Sequence, residues 1–191
     1  MTKRTNTKAM VESALLIALG IVLAQIKIFQ MPYGGSVTLV SSLPFILISY
    51  RHGLKWGVIA GLTNGCLQMM TGWYAPPAGT VLAVVACVLL DYLLAFMCLG
   101  TACVFQKPFR NKKIGVGFST AVVIFMRFMC SFLSGALLWG SYQSYYEWAE
   151  GMSVWTYSLV YNASYMMPEM IITALVACIL VSTSPKLFDY Q

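Results

Sequence analysis

Charge is scarce in this chain. Only 9% of its 191 residues are Asp, Glu, Lys or Arg, against roughly 25% in a soluble domain. So few charges cannot cover a surface that faces water. Histidine is rarer still. His52 stands alone, beside Arg51 in a polar turn, and no Ser/His/Asp set can be assembled without it. HExxH and other metal-ligand spacings are missing, as is GxxxxGK[ST], the loop that cradles nucleotide phosphates. No CxxC pair exists, and the six cysteines (Cys66, Cys87, Cys98, Cys103, Cys130, Cys178) lie in apolar stretches, where they read as small core residues. These absences argue against an intramembrane enzyme, a metalloprotein and a self-contained ATP motor. No metal or cofactor is expected. No small-residue cleavage site follows the first apolar run, so the first helix is expected to stay as a span. Two related halves, usual in solo secondary transporters, are not visible. Nor is a solenoid repeat, or the polar stripe or ring that a channel would need.

What is present is apolar surface. Hydrophobic residues make up 59% of the chain and the mean hydropathy is positive. That composition predicts an all-α integral membrane protein, with lipid as its outer solvent. Six spans are expected: Met10–Ile26, Val37–Tyr50, Leu54–Gly72, Thr80–Phe105, Ile114–Ser141 and Ser153–Ser182. The second is short of the ~20 helical residues a crossing needs. It holds Pro44, so a tilted, broken or irregular passage is expected there. The net charge of +6 raises the possibility of nucleic acid, but its placement argues against that. Ten of the twelve bases fall on one side: Lys3, Arg4 and Lys8, then Arg51 and Lys55, then Lys107, Arg110, Lys112 and Lys113, then Lys186. The positive-inside rule puts that side, and both termini, in the cytoplasm. Residues 1–191 read as a single domain, with 1–9 and 183–191 as cytoplasmic tails and the cell membrane as its location.

Three outer loops follow, Lys27–Ser36, Trp73–Gly79 and Tyr142–Met152, rich in aromatics, Pro and Gly. Two readings stand. They form an interfacial aromatic belt, or they are lids and walls for a flat ligand.

Three ionisable residues lie inside spans: Asp91, Arg127 and Glu169. Intramembrane charges usually face the protein interior, pair up, and mark ligand or ion paths. At about 1.5 Å per helical residue, Asp91 lies roughly 16 Å below the outer start of span four. Arg127 and Glu169 share a level roughly 21–24 Å down, where they can form a structural ion pair. That leaves Asp91 without a cation of its own. Either it is protonated or shares Arg127 and has no specific task, or its partner arrives from outside as a cationic substrate. The second reading is favoured. Ser131 and Asn162 fall near the same level, with Trp139 and Tyr157 one to two turns nearer the outer face. An acid, a hydroxyl, an amide and two aromatics suit a flat, cationic, hydrogen-bonding heterocycle. Aromatic faces attract cations, by ~2 kcal/mol when desolvated. In span one, Ala14 and Ala18 sit at i and i+4, a spacing that lets two membrane helices approach closely.

Four pieces of the sequence carry a resemblance that runs from Glu12 to about Leu175: "ESALLIAL", "SSLPFILISYRHGLKWGVIAG", "DYLLAF", and "RFMCSFLSGALLW" followed by "YSLVYN". The chain resembles the substrate-binding S-components of energy-coupling factor (ECF) vitamin transporters, and within them the thiamine-specific branch. The resemblance implies a six-helix substrate-capture subunit, working with a transmembrane coupling subunit and two ATPase subunits. It implies that Ala14 and Ala18 dock on the coupling subunit. Asp91 would stand where the family's glutamate faces the thiazolium ring, with Tyr92 beside it in the motif. Trp139 and Tyr157 would be pocket aromatics, Asn162 a ligand hydrogen-bonder, and Gly135 a small residue at the pocket wall. Tyr74 would be a further aromatic from the loop that also holds Trp73. Three positions depart from the pattern. The acid is one methylene shorter, a pocket histidine is replaced by Ser131, and a first-loop tryptophan aligns with Gly35, where Tyr33 can substitute. These changes leave thiamine or a close relative, such as its thiazole or pyrimidine moiety, as the expected substrate. Two rivals remain: a proton-driven solo transporter with Asp91 as its proton site, and a scaffold that binds no small molecule.

Overall fold

Inside lipid every backbone N–H and C=O needs an internal partner, so an apolar chain of this kind folds into helices. The computed structural model describes residues 3–32 and 34–190. Helix α1 (Lys3–Gln25) is followed by a small antiparallel hairpin, β1 (Lys27–Gln30) and β2 (Ser36–Thr38). Then come α2 (Leu43–His52), α3 (Leu54–Thr71), α4 (Val81–Cys87), a π-helical stretch at Val88–Leu94, α5 (Ala95–Leu99), α6 (Ala102–Gln106), α7 (Lys112–Leu138) and α8 (Val154–Thr183). Short 3-10 turns occupy Gly140–Tyr145, Glu147–Ala149 and Pro185–Phe188. Thr80, Asn111 and Ser153 cap α4, α7 and α8, each side-chain oxygen accepting from a backbone N–H of the first turn.

Among the described residues, four stretches are long and apolar enough to cross a membrane: Thr7–Gln25, Val81–Leu99, Lys112–Leu138 and Val154–Thr183. The expected second span is different. Its first residues, Val37 and Thr38, belong to strand β2, and the helix begins only at Leu43. Ten helical residues reach about 15 Å, half of a bilayer's hydrocarbon thickness. Helix α2 avoids the mismatch because protein surrounds it. Nine of its ten residues are buried, with Phe45, Ile46 and Ile48 at the centre of the main core beside Leu99, Val116, Val123 and Ile124. The hairpin also corrects the all-α expectation: the first outer loop is partly sheet. Span four is likewise not one continuous α-helix. It widens into the π stretch and breaks at Gly100–Thr101.

Three glycines of α3, four residues apart, bring its backbone directly onto that interrupted helix. A Cβ on Gly57 or Gly61 would strike the carbonyl of Gly100 or Phe96, and one on Gly65 would lie 2.6 Å from the Tyr92 carbonyl. Small residues at this spacing allow close helix contact. The contact fixes the segment that carries Asp91.

Candidate binding site

The C-terminal ends of α1, α3 and α7 and the N-terminal half of α8 enclose a cavity of about 360 Å³. The hairpin borders it on one side. Asp91, Tyr92, Ser131, Gly135, Trp139, Tyr157, Asn162 and Tyr74 all line it. The sequence thus placed eight residues that the fold gathers around one space. Tyr33 lies outside the described residues; its neighbours Gly34 and Gly35 line the cavity.

Asp91 occupies the π-helical stretch, where an extra residue per turn re-aims successive side chains; such bulges recur at functional sites. One carboxylate oxygen, Oδ2, accepts three hydrogen bonds: from Ser134 Oγ at 2.5 Å, Trp139 Nε1 at 3.2 Å and Cys87 Sγ at 3.5 Å. All three donors are neutral. Among the described residues no basic side chain pairs with Asp91, and Oδ1 accepts from none of them. Ser134 was not anticipated. It lies one turn beyond Ser131 on α7, so a search for donors on the same helical face finds it.

Arg127 and Glu169 pair as expected, Nη1 to Oε1 at 3.5 Å. Ser42 Oγ donates to the same Glu169 oxygen at 2.9 Å and accepts from Arg127 at 3.3 Å. The guanidinium also lies 4.7 Å from the Phe96 ring centroid. The pair expected to be mainly structural also lines the cavity with both of its residues. Its cation is already matched by Glu169, which leaves the Asp91 carboxylate unmatched.

Asn162 donates to Ser158 O at 2.9 Å and accepts from the Tyr165 hydroxyl at 2.7 Å. Both contacts hold its amide in one orientation at the cavity wall. Gly135 lets α7 approach α8 here. A Cβ on it would collide with Ser158 Oγ and come within 3.0 Å of Asn162 Nδ2. Tyr92 serves partly as an anchor. Its hydroxyl donates to Gly72 O at 3.1 Å and accepts from the Tyr74 N–H at 3.3 Å, while its ring stacks on Trp73.

The loops at this end are tied together by aromatics. Tyr161 donates to Pro32 O and, at 2.8 Å, to Gly34 O. Tyr146 donates to Pro32 O at 3.1 Å, and Tyr157 packs against Tyr146, Trp148 and Tyr161. Gly35, at φ +88°, lies over the Tyr165 ring, where a Cβ would come within 2.7 Å. Tyr157, Tyr161 and Tyr165 are therefore walls of the cavity, and Tyr146 and Trp148 pack behind Tyr157. The sequence reading missed Tyr161 and Tyr165. Their recurrence four and eight residues after Tyr157 was the available signal.

The fold is that of a multi-pass helical membrane protein with a cavity between its helices. The model of the thiamine transporter protein family matches residues 10–189. The chain is 36% identical to the thiamine transporter ThiT of Bacillus subtilis, over 98% of its own length and 97% of that protein. It is 28% identical to ThiT of Lacticaseibacillus paracasei over 76% and 73% of the two chains. A solved structure of ThiT from Listeria monocytogenes has the same fold, with a TM-score of 0.78, 23% identity, and coverage of 98% of this chain and all of that one. The chain belongs to the thiamine transporter family, a family of transport proteins rather than enzymes. That is the branch its motifs resembled.

Proposed function

We propose that the cavity captures thiamine, with the positively charged thiazolium ring against Asp91. The observation that carries this reading is the state of that carboxylate: three neutral donors on one oxygen, no cation, and a second oxygen left open at the cavity wall. A buried charge of this kind is costly unless paired, and a cationic ligand supplies the pair. Trp139 and Tyr157 flank the ring, while Ser131, Asn162, Tyr74 and Tyr92 complete the walls. Gly135 keeps room beside them. Arg127 and Glu169 form the floor as a self-neutralised pair.

In this reading the chain is one substrate-binding domain with six crossings and both termini cytoplasmic. Strand β2 together with α2, and helix α3, make the two crossings that length and hydropathy alone do not assign. Uptake is driven by an ECF module of one transmembrane coupling subunit and two ATPases. Ala14 and Ala18 are both exposed on α1, which suits a docking face for the coupling subunit. Purifying the chain without added ligand and identifying what co-purifies by mass spectrometry tests the substrate. Thiamine supports the reading; a neutral or anionic metabolite at full occupancy overturns it.

A further inference from the structure

A second cavity, of about 520 Å³, opens at the opposite end of the helices. It lies between the α2–α3 turn, the α6–α7 connection and the C-terminal Pro185–Phe188 turn. None of the residues around it takes part in the thiamine site. Its charge is lopsided. Lys107, Arg110 and Lys112 line it against a single acid, Asp189. Asp189 is already engaged, accepting from Lys112 Nζ at 2.5 Å. Lys107 and Arg110 make no ion pair among the described residues.

The polar groups deeper in this cavity are already satisfied. Tyr50 shares a hydrogen bond with Ser119, and Ser49 Oγ accepts from the Cys103 N–H at 3.0 Å. The uncommitted cations at its rim are Lys107 and Arg110. Apolar side chains open to the surroundings line the same cavity, Leu54 (45% exposed) and Val104 (38%), the latter three residues before Lys107. Phe109, which also lines the cavity, packs on Phe118 of α7 with ring centroids 4.9 Å apart, and Phe118 and Ile114 are exposed on that helix, which is long and apolar enough to cross the membrane. The cavity thus offers unpaired cations beside apolar side chains that reach a membrane helix through Phe109.

We propose that this cavity binds the phosphate headgroup of an anionic phospholipid, with Lys107 and Arg110 on the phosphate and an acyl chain along Leu54 and Val104. Basic pockets between membrane helices hold anionic headgroups in this way, and each Lys or Arg near an anionic surface contributes on the order of 1 kcal/mol. Free phosphate shares the headgroup chemistry but gains nothing from the apolar wall. The apolar wall therefore favours the lipid.

The test uses the full chain in a neutral detergent, with thermal unfolding followed during titration with phosphatidylglycerol, phosphatidylcholine or inorganic phosphate. Phosphatidylglycerol is expected to raise the unfolding temperature saturably, and the other two are not. The variant K107A/R110A is expected to bind phosphatidylglycerol roughly thirtyfold more weakly. K113A/K186A removes the same charge from exposed positions that do not line the cavity and is expected to bind normally. K107Q/R110Q, which keeps the side-chain length, serves if the alanine pair does not fold, with retained lipid counted by native mass spectrometry. Three results would each overturn the proposal: an equal effect from inorganic phosphate, equal losses in both charge-removal pairs, or no phosphatidylglycerol effect on the unaltered chain.

Discussion

The indole N–H of Trp139 donates to Asp91 Oδ2 at 3.2 Å, joining the residue that caps the end of α7 to the acid of the π-helical stretch. The aromatic wall and the charge are therefore one unit. A ligand that meets the carboxylate must also meet the indole.

Thiamine is expected to quench tryptophan fluorescence chiefly through Trp139. In Trp139→Phe the larger part of the quench should disappear. Affinity should fall roughly ten- to a hundredfold, because a hydrogen bond to a charged group contributes about 1.5–3 kcal/mol. A full quench and unchanged affinity in that variant would place the ligand elsewhere.

Gly135 is predicted to be intolerant of any side chain, since a Cβ would meet Ser158 Oγ. Overpacking of this kind costs about 1–3 kcal/mol. Gly135→Ala should lower the unfolding temperature in detergent, and adding Ser158→Ala should restore part of the loss. The recovery measures their coupling. An additive double variant would mean that α7 and α8 do not pack closely here.

Breaking one half of the Arg127–Glu169 pair should be worse than removing both. Arg127→Met alone leaves Glu169, which is 2% exposed, without its cation, at a cost of about 3–5 kcal/mol. Arg127→Met combined with Glu169→Leu should recover much of that stability. Thermal unfolding of the two single variants and the double variant decides it, and a double variant less stable than either single one contradicts the pairing.

Ala14→Trp and Ala18→Trp should abolish uptake in cells while the isolated chain still binds thiamine. Bulk at a close helix contact blocks assembly, and neither residue lines the cavity. Co-purification with the coupling subunit is the direct measurement. Normal complex formation would move the docking face away from this side of α1.

Much of the site was legible because lipid makes polar residues expensive. Asp91, Arg127, Glu169 and Asn162 stand out in apolar runs, and helical rise placed Arg127 and Glu169 at one level, where they do pair. The hairpin was not legible. "KIFQ" and "SVT" are too short to show alternation, and their pairing depends on residues six to eleven positions apart in the chain. No residue type marks a π-helical stretch, so the widening around Asp91 was invisible. The shortness of α2 was visible. Its burial was not, because an apolar sequence reads the same against lipid as against protein. Ser134 was hidden for a related reason: serine is ordinary in membrane helices, and only the fold reveals which one reaches a carboxylate.

The central claim is that Asp91 is held for a cation. Asp91→Asn keeps the shape of the side chain and removes its charge. Loss of a buried charge pair at an interface costs roughly 2–5 kcal/mol, on the order of thirty- to several-thousand-fold in affinity. The decisive measurement is the affinity of the purified chain and of Asp91→Asn for thiamine and for a neutral analogue in which a carbon ring replaces the thiazolium. The account predicts a large loss for thiamine and a much smaller one for the analogue. Equal losses for the two ligands would contradict it, and would make Asp91 a residue of the fold rather than of the site.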